Sequence, residues 1–248
     1  MSCSAGLPED PWAAAVAQPA RDPVYDLDLD ASSRSQHQAD RILDLVRWTG
    51  AEPSTRELRL DLDEHERAQG RARLAGVMEA AGLGGVATPV VGFHPGAANA
   101  LKLLAARIVR GPGRGDRFRT IRRRYGSWCS TRRASARRAA GVVAGLAARG
   151  VAAGFVPAAG IESFAATCAA LDLLVCNDSG VMHVAVALGV PTVSFHSAGK
   201  PSEWGPRNDH SVAFHAPGHI ETIPVEPAAE AVRALLRLAP DRVMKPQA

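Results

Sequence analysis

The chain has 248 residues, of which 46% are hydrophobic and 22% are charged, and this composition excludes a disordered or fibrous protein. Residues 107–138 hold 12 of the 29 basic residues but only one of the 25 acidic residues, so the rest of the chain has 17 basic and 24 acidic residues. The formal net charge of +4 therefore comes from one segment, and the remainder is acidic.

The amino-terminal third predicts little regular structure at first and helices afterwards. Residues 1–35 are rich in Pro, Asp and Ser, and we expect a poorly ordered lead-in. Helical spacing over residues 37–50 ends at a Gly, and an alternating strand over residues 56–63 precedes a charged helix to about residue 81. We interpret residues 36–85 as a helical linker and remnant that precedes the main domain.

Apolar strands and helices alternate through the rest of the chain. Strands are predicted over residues 88–96, 151–156, 171–176, 191–196 and 211–216, and helices over residues 139–150, 161–170, 181–189 and from Pro227 onward. Strands that are apolar on both faces and alternate with helices indicate a parallel sheet covered on both sides. The sequence therefore predicts a doubly wound, Rossmann-like α/β domain over residues 86–248.

Two predicted strand ends carry small and polar residues. Asn177, Asp178, Ser179 and Gly180 follow one strand and open a helix, and His183 lies one turn further on. Ligands of open α/β sheets bind where strands end and helices begin, because helix N-termini offer free N–H groups and a partial positive charge. These residues predict a phosphate site, although a purely structural turn with a structural His is an alternative interpretation.

The second strand end has the sequence His94–Pro95–Gly96, followed by Ala97 and Ala98, and Lys102 comes at a distance suited to phosphate. An ordinary loop with a surface Lys is the alternative here. Strands 90–94, 171–176 and 191–195 are expected to be adjacent or nearly so, with His94 and Asp178 at the same edge of the sheet.

These segments together resemble a known family. The strings VVGFHPGAAN at 90–99, DLLVCNDSGVMHVAVALGVPTVSF at 172–195 and PSEWGP at 201–206 are similar to the carboxyl-terminal domain of glycosyltransferase family 9, the ADP-heptose:lipopolysaccharide heptosyltransferases. The resemblance implies the carboxyl-terminal half of a GT-B fold, which holds a nucleotide sugar. It implies no metal and no cofactor besides that substrate.

Carried over by position, the resemblance assigns the donor diphosphate and its sugar to Asp178, Ser179, Gly180 and His183, and a phosphate contact to Lys102. His94, Gly96, Ala97 and Ala98 form the facing loop, in which the two Ala residues stand where the family often has hydroxyl residues. The resemblance implies no catalytic residue in this chain. In the family, the acceptor site and the catalytic base belong to an amino-terminal domain that we expect to be missing here.

The segment 103–138, which we call the Arg-rich block, contains no Lys and departs from the family pattern. Three interpretations remain open: a surface for nucleic acid or anionic lipid, a solvated insertion, or a stretch translated out of frame between two compensating frameshifts. We expect the block to pack poorly, because it has few apolar residues. The nucleotide sequence would test the frameshift hypothesis by showing whether another frame encodes a Trp-Pro turn, a helix and a strand.

The sequence therefore predicts a heptosyltransferase-like enzyme that moves a sugar from a nucleotide diphosphate to a glycan or lipopolysaccharide acceptor, and that is incomplete. An inactive protein that still binds nucleotide diphosphates is the alternative, and a nucleic-acid-binding protein is a weaker third.

No apolar run reaches the roughly 18 residues of a membrane span, and no signal peptide is recognisable. We expect the protein in the cytoplasm, with association at the inner face of the cell membrane as an option. The four Cys residues fit no metal or redox spacing and are interpreted as thiols.

Overall fold

The computed structural model describes residues 36–83, 89–96, 124–128, 133–148, 151, 153–157, 160–218 and 220–238. These residues divide into two compact units. The smaller unit contains residues 36–57 and Ser202–Trp204, and its main element is helix α1, Gln38–Trp48. The His37 imidazole caps α1 by accepting a hydrogen bond from the Ala39 amide, and Gly50 with a φ of +84° follows its end.

The larger unit contains the other described residues and is built from alternating helices and strands. Its helices are α2 Glu64–Ala80, α3 Arg133–Ala147, α4 Ile161–Ala169, α5 Gly180–Ala187 and α7 Val225–Leu238, and the short α6 Pro201–Trp204 is shared with the smaller unit. Its strands are β1 Val90–His94, β2 Arg124–Trp128, β3 Ala153–Val156, β4 Leu173–Asn177, β5 Thr192–His196 and β6 Ser211–His215. A 3₁₀ turn, Ile220–Thr222, precedes α7.

The six strands form one sheet in the order β3-β2-β1-β4-β5-β6, and every pair is parallel. This is the strand order of a Rossmann fold, in which the chain winds outward from the centre in two directions. The predicted fold class is confirmed, and so is the adjacency of the three strands that the sequence analysis places together.

Strand β4 shows why its sequence is apolar throughout. Leu173 and Val175 belong to a core that also contains Val142 of α3 and Leu235 of α7. Leu174 and Cys176 belong to the core on the other face, with residues of α2, α4 and α5. Because successive side chains of a strand point to opposite faces, both faces of β4 are covered and every residue in it is buried.

The structure differs from the sequence prediction at three places. Residues 56–63 form no strand; Leu60 donates one backbone hydrogen bond to the Ala187 carbonyl, and the alternating pattern lies outside the sheet. Strand β2 lies inside the Arg-rich block, where the sequence predicts no strand, and its backbone pairs with β1 and β3. Helix α7 begins at Val225, two residues before Pro227, because Pro is tolerated throughout a first helical turn.

Helix α2 begins with a capping box in which the Asp63 carboxylate accepts from the Glu66 amide and the Glu66 carboxylate accepts from the Asp63 amide. The helix then crosses α4 so closely that a Cβ on Gly70 would lie 2.0 Å from the Ala166 carbonyl oxygen. Gly70 is buried for this reason, whereas Gly76 of the same helix is exposed and faces open space.

We predict that Gly70→Ala lowers the free energy of unfolding by about 1–3 kcal/mol, because the new methyl group forces the two helix backbones apart. Gly76→Ala is the matched control and should raise it by about 0.5–1 kcal/mol, since Ala is the better helix former. Urea denaturation followed by circular dichroism measures both values. Equal changes in the two variants would show that the close crossing of α2 and α4 is not a constraint.

Candidate functional site

The strand order reverses between β1 and β4, because β1 leads outward to β2 and β3 whereas β4 leads outward to β5 and β6. In folds of this type the loops at such a reversal diverge, and the crevice between them at the carboxyl edge of the sheet is where ligands bind. In the register, Phe93 lies opposite Val175 and His94 opposite Cys176. The two polar strand ends singled out in the sequence are thus neighbours, and His94 and Asp178 lie at the same edge, as predicted.

A side-chain hydrogen bond joins these two strand ends directly. Asn177, the last residue of β4, is fully buried, and its Nδ2 donates to the Gly96 carbonyl oxygen at 3.4 Å. At the opposite edge, the Asp172 carboxylate accepts from the Val90 amide at 2.6 Å. Polar contacts therefore hold β1 against β4 at both ends.

Helix α5 begins directly at the crevice. Ser179 is its N-cap residue, but the Ser179 side chain makes no capping bond and instead donates from Oγ to the Asn177 carbonyl at 3.1 Å. Gly180 is the first helical residue and is exposed, and a Cβ added to it would meet no atom within 4 Å. The first amides of α5 are therefore left without a side-chain cap, next to open space that a ligand can fill.

His183 is the fourth residue of α5 and is half-buried. Residues three and four positions apart share a face of a helix, so His183 follows Ser179 and Gly180 along the same side of α5. The sequence analysis places it at the same anion as the helix start, and this position stays a prediction.

His94 ends β1 and is only 3% exposed. Neither of its ring nitrogens has a hydrogen-bond partner among the described residues. Burial lowers the pKa of His94 from 6.5 to about 4, and the backbone groups of Gly96 and His94 oppose only part of this shift. At neutral pH the imidazole is therefore uncharged, with one nitrogen able to donate and the other able to accept.

Two polar residues of β5 that are not among the predicted site residues, Ser194 and His196, are fully buried. The Ser194 hydroxyl lies 2.9 Å from Nε2 of His196, and Nδ1 of His196 lies 3.9 Å from Oδ1 of Asp178. Asp178 itself is 6% exposed, and its amide donates to the Phe195 carbonyl at 2.8 Å. The signal in the sequence is the alternation of Ser and His with Val and Phe in a buried strand.

Two thiols lie in the core below this edge. Cys168 and Cys176 are free and fully buried, which agrees with their interpretation as thiols. Burial raises the pKa of Cys168 to about 12 and also raises the pKa of Cys176, to which the nearby Cys168 and Asp178 contribute. Both remain protonated at neutral pH and are unsuited to nucleophilic or redox chemistry.

The structure brings together six of the predicted site residues at the carboxyl ends of β1 and β4: His94, Gly96, Asp178, Ser179, Gly180 and His183. Lys102, Ala97 and Ala98 lie outside the described residues. The strand order defines the class of the larger unit, a Rossmann-type α/β domain, and the start of α5 is its candidate anion site.

The larger unit is similar to one known protein family. Residues 128–225 match the family model of Glycosyltransferase family 9 (heptosyltransferase), which confirms the resemblance seen in the sequence. The matched range includes β4, α5 and β5 and does not include His94 or Gly96. No curated protein sequence matches the chain.

Three solved structures share the fold. The glycosyltransferase family 9 protein from Veillonella parvula DSM 2008 is 19% identical with a TM-score of 0.65, over 85% of this chain and 62% of that protein. The E. coli ADP-heptose lps heptosyltransferase II is 19% identical with a TM-score of 0.56, over 73% and 54%. The E. coli heptosyltransferase WaaC with ADP is 16% identical with a TM-score of 0.57, over 81% and 57%. The chain thus spans less than two thirds of each of these proteins.

Among the described residues, no helix combines the length and the hydropathy that a membrane span requires.

We predict that His94 stays neutral in the folded protein down to about pH 4. Its pKa is lower in the folded than in the unfolded chain, so the unfolded chain binds more protons between pH 6.5 and 4 and stability falls as the pH falls through that range. The pKa shift corresponds to a loss of about 3 kcal/mol.

A difference experiment isolates this contribution. The free energy of unfolding of wild type and His94→Gln is measured between pH 7.5 and 4, and the variant should lose less stability than wild type. The exposed His210 provides the control, since His210→Gln should follow wild type. Parallel pH profiles for wild type and His94→Gln would contradict the prediction, as would an imidazole proton resonance of His94 that titrates near pH 6.5.

Proposed function

We propose that the crevice at β1 and β4 binds the diphosphate of a nucleotide sugar, and that the protein is a glycosyltransferase of the heptosyltransferase type. The observation that carries this proposal is the coincidence of two independent features. The family match covers the start of α5, and the same start is the uncapped helix N-terminus at the point where the strand order reverses. Such an N-terminus favours phosphate, because its amides and its dipole both attract negative charge.

In this proposal the chain contributes electrostatic stabilisation of the leaving group. When the bond between the sugar and the diphosphate breaks, negative charge develops on the diphosphate oxygens. The amides at Gly180 and Val181 are fixed by the helix and need no reorganisation to donate to that charge. We assign an additional donor role to His183, and a phosphate contact to Lys102.

The proposed donor is an ADP-linked sugar such as ADP-heptose, and the proposed acceptor is a hydroxyl group of a glycan or of lipopolysaccharide. Support for the donor comes from the neighbours, since the E. coli enzyme WaaC was solved with ADP. The proposal includes no metal and no cofactor besides the nucleotide sugar. It also includes a cytoplasmic location, with association at the inner face of the cell membrane as the sequence analysis allows.

A protein that binds nucleotide diphosphates without transferring a sugar is the second candidate. This candidate needs only the proposed diphosphate site, whereas transfer also needs an acceptor hydroxyl that is positioned and deprotonated. Release of ADP from ADP-heptose that depends on added acceptor supports the transferase. Binding of ADP without such release supports the second candidate.

We predict that Gly180→Val weakens ADP binding at least about 10-fold without lowering the free energy of unfolding. The Val side chain meets no protein atom at this position, but it occupies the space in front of the first amides of α5. Titration calorimetry with ADP and urea denaturation measure the two effects. The control is Gly76→Val on the exposed side of α2, which should leave binding unchanged. If Gly180→Val binds ADP as tightly as wild type does, the diphosphate does not bind at the start of α5.

We further predict that His183→Ala weakens binding of ADP by about 1–2 kcal/mol, through the loss of one hydrogen bond to a charged oxygen. Calorimetry with ADP, UDP and GDP compares wild type and variant and also shows which base is preferred. The exposed His210, near the amino end of β5, supplies the control variant His210→Ala. If both His variants bind all three nucleotides as wild type does, His183 is not part of the site.

A further inference from the structure

His94 is a buried polar residue to which the proposed function assigns no role. It ends β1 and is 3% exposed, and neither of its ring nitrogens has a hydrogen-bond partner among the described residues. The Gly96 backbone lies near enough to affect the pKa of the imidazole, but it does not meet the geometry of a hydrogen bond. A buried polar group without a partner lowers stability, and an apolar residue would pack here without that cost. Packing alone therefore does not account for a His at this position.

The alternation of side chains along β1 directs His94 to the face of the sheet that α5 covers. Val91 and Phe93 belong to the core shared with α3 and α7. Gly92 lies on the other face, where an added Cβ would meet the Leu171 side chain, and His94 follows two positions later on that same face. The core on this face contains residues of α2, α4 and α5.

The register of β1 and β4 places His94 near the start of α5. His94 lies opposite Cys176, one strand spacing or about 4.8 Å away. Ser179, the N-cap residue of α5, follows Cys176 by three residues, which span at most about 10 Å. The gap between His94 and the first amides of α5 is therefore one that an imidazole and a diphosphate can fill together.

The imidazole of His94 offers a hydrogen-bond donor without a charge. Burial keeps it neutral at pH 7, so one ring nitrogen carries a hydrogen and the other accepts. Water competes little for a donor in an apolar setting, so a hydrogen bond to a charged oxygen is strong there. The uncapped amides of α5 attract the same kind of partner. An unpartnered buried side chain and an uncapped helix start thus both favour an anionic oxygen.

We propose that His94 is a binding residue for the nucleotide and donates a hydrogen bond from its imidazole to an oxygen of the diphosphate. This inference rests on the proposed function, because it takes the start of α5 to be the diphosphate site. Both ring nitrogens are buried in the structure, so the bond forms with a rotation of the imidazole toward α5 on binding. The nucleotide then supplies the partner that the described residues do not, and the unpartnered group lowers stability but raises affinity.

The test measures stability and ADP affinity on the same variants of the full chain, by urea denaturation and titration calorimetry. His94→Leu removes the unpartnered group and its hydrogen bond to the ligand, so it should lower the equilibrium constant of unfolding about 10-fold and weaken ADP binding about 10-fold. His94→Gln retains a donor and should weaken binding less than about 3-fold. His210→Leu is the same change at an exposed His and should leave binding unchanged.

The two measurements distinguish the proposed role from its alternatives. If His94 is purely structural, His94→Leu should be less stable than wild type. If a buried water satisfies the imidazole, His94→Leu should bind ADP as wild type does. Either result would overturn the proposal.

Nuclear magnetic resonance on ¹⁵N-labelled wild type needs no His94 variant. ADP should shift the ring resonances of His94, and in Gly180→Val the same shift should need at least about 10-fold more ADP. Ring resonances that ADP leaves unchanged would overturn the role of His94 even if ADP binds. If wild type does not bind ADP at all, the proposed function fails and this inference with it, whereas equal binding by wild type and His94→Leu removes only the role of His94.

Discussion

The parallel pairing of β1 with β4 is the contact on which the candidate site depends. The strand order reverses at this pair, and its register brings His94 level with Cys176, so that the two loops with small and polar residues leave the sheet side by side. Asp172 fixes one end of the pair and Asn177 the other. A shift of the register by one residue would turn His94 into the opposite core, because side chains alternate between the faces. The hydrogen bonds at both ends therefore protect the site as well as the sheet.

Burial decides which groups at this edge carry charge. His94 is uncharged at neutral pH because its pKa is lowered to about 4, and the thiol of Cys176 is uncharged because its pKa is raised. Among the described residues, the proposed anion site therefore depends on oriented backbone amides more than on a buried cation. Fixed dipoles have an advantage for a leaving diphosphate, since they need no reorganisation while the charge develops.

Much of the fold and the local part of the site could be predicted from the sequence, and the reason is that they depend on short-range patterns. The apolar run of β4 indicates a buried strand, and the Gly that follows α1 indicates the end of a helix. Both signals lie within a few residues of the element that they indicate. Strand β2 could not be predicted in this way, because its five residues, RYGSW, form no apolar run and its place is fixed by β1 and β3 on either side. The close crossing at Gly70 depends on Ala166, almost a hundred positions away, and leaves no local signal.

Asp178 shows where this limit falls within the site itself. The sequence places Asp178 in the predicted phosphate site and gives no sign of its neighbours in space. In the structure Nδ1 of His196, a residue of the next strand, lies 3.9 Å from Asp178, and Nε2 of His196 lies 2.9 Å from the Ser194 hydroxyl in the same strand. A strand-to-helix turn with the residues of the proposed anion site can thus be recognised within residues 177–183, whereas the buried polar residues near it come from a strand up to eighteen positions after Asp178. Buried polar residues at alternating positions of an apolar strand are the sign that a sequence displays, because their burial costs free energy unless a hydrogen-bond partner offsets it.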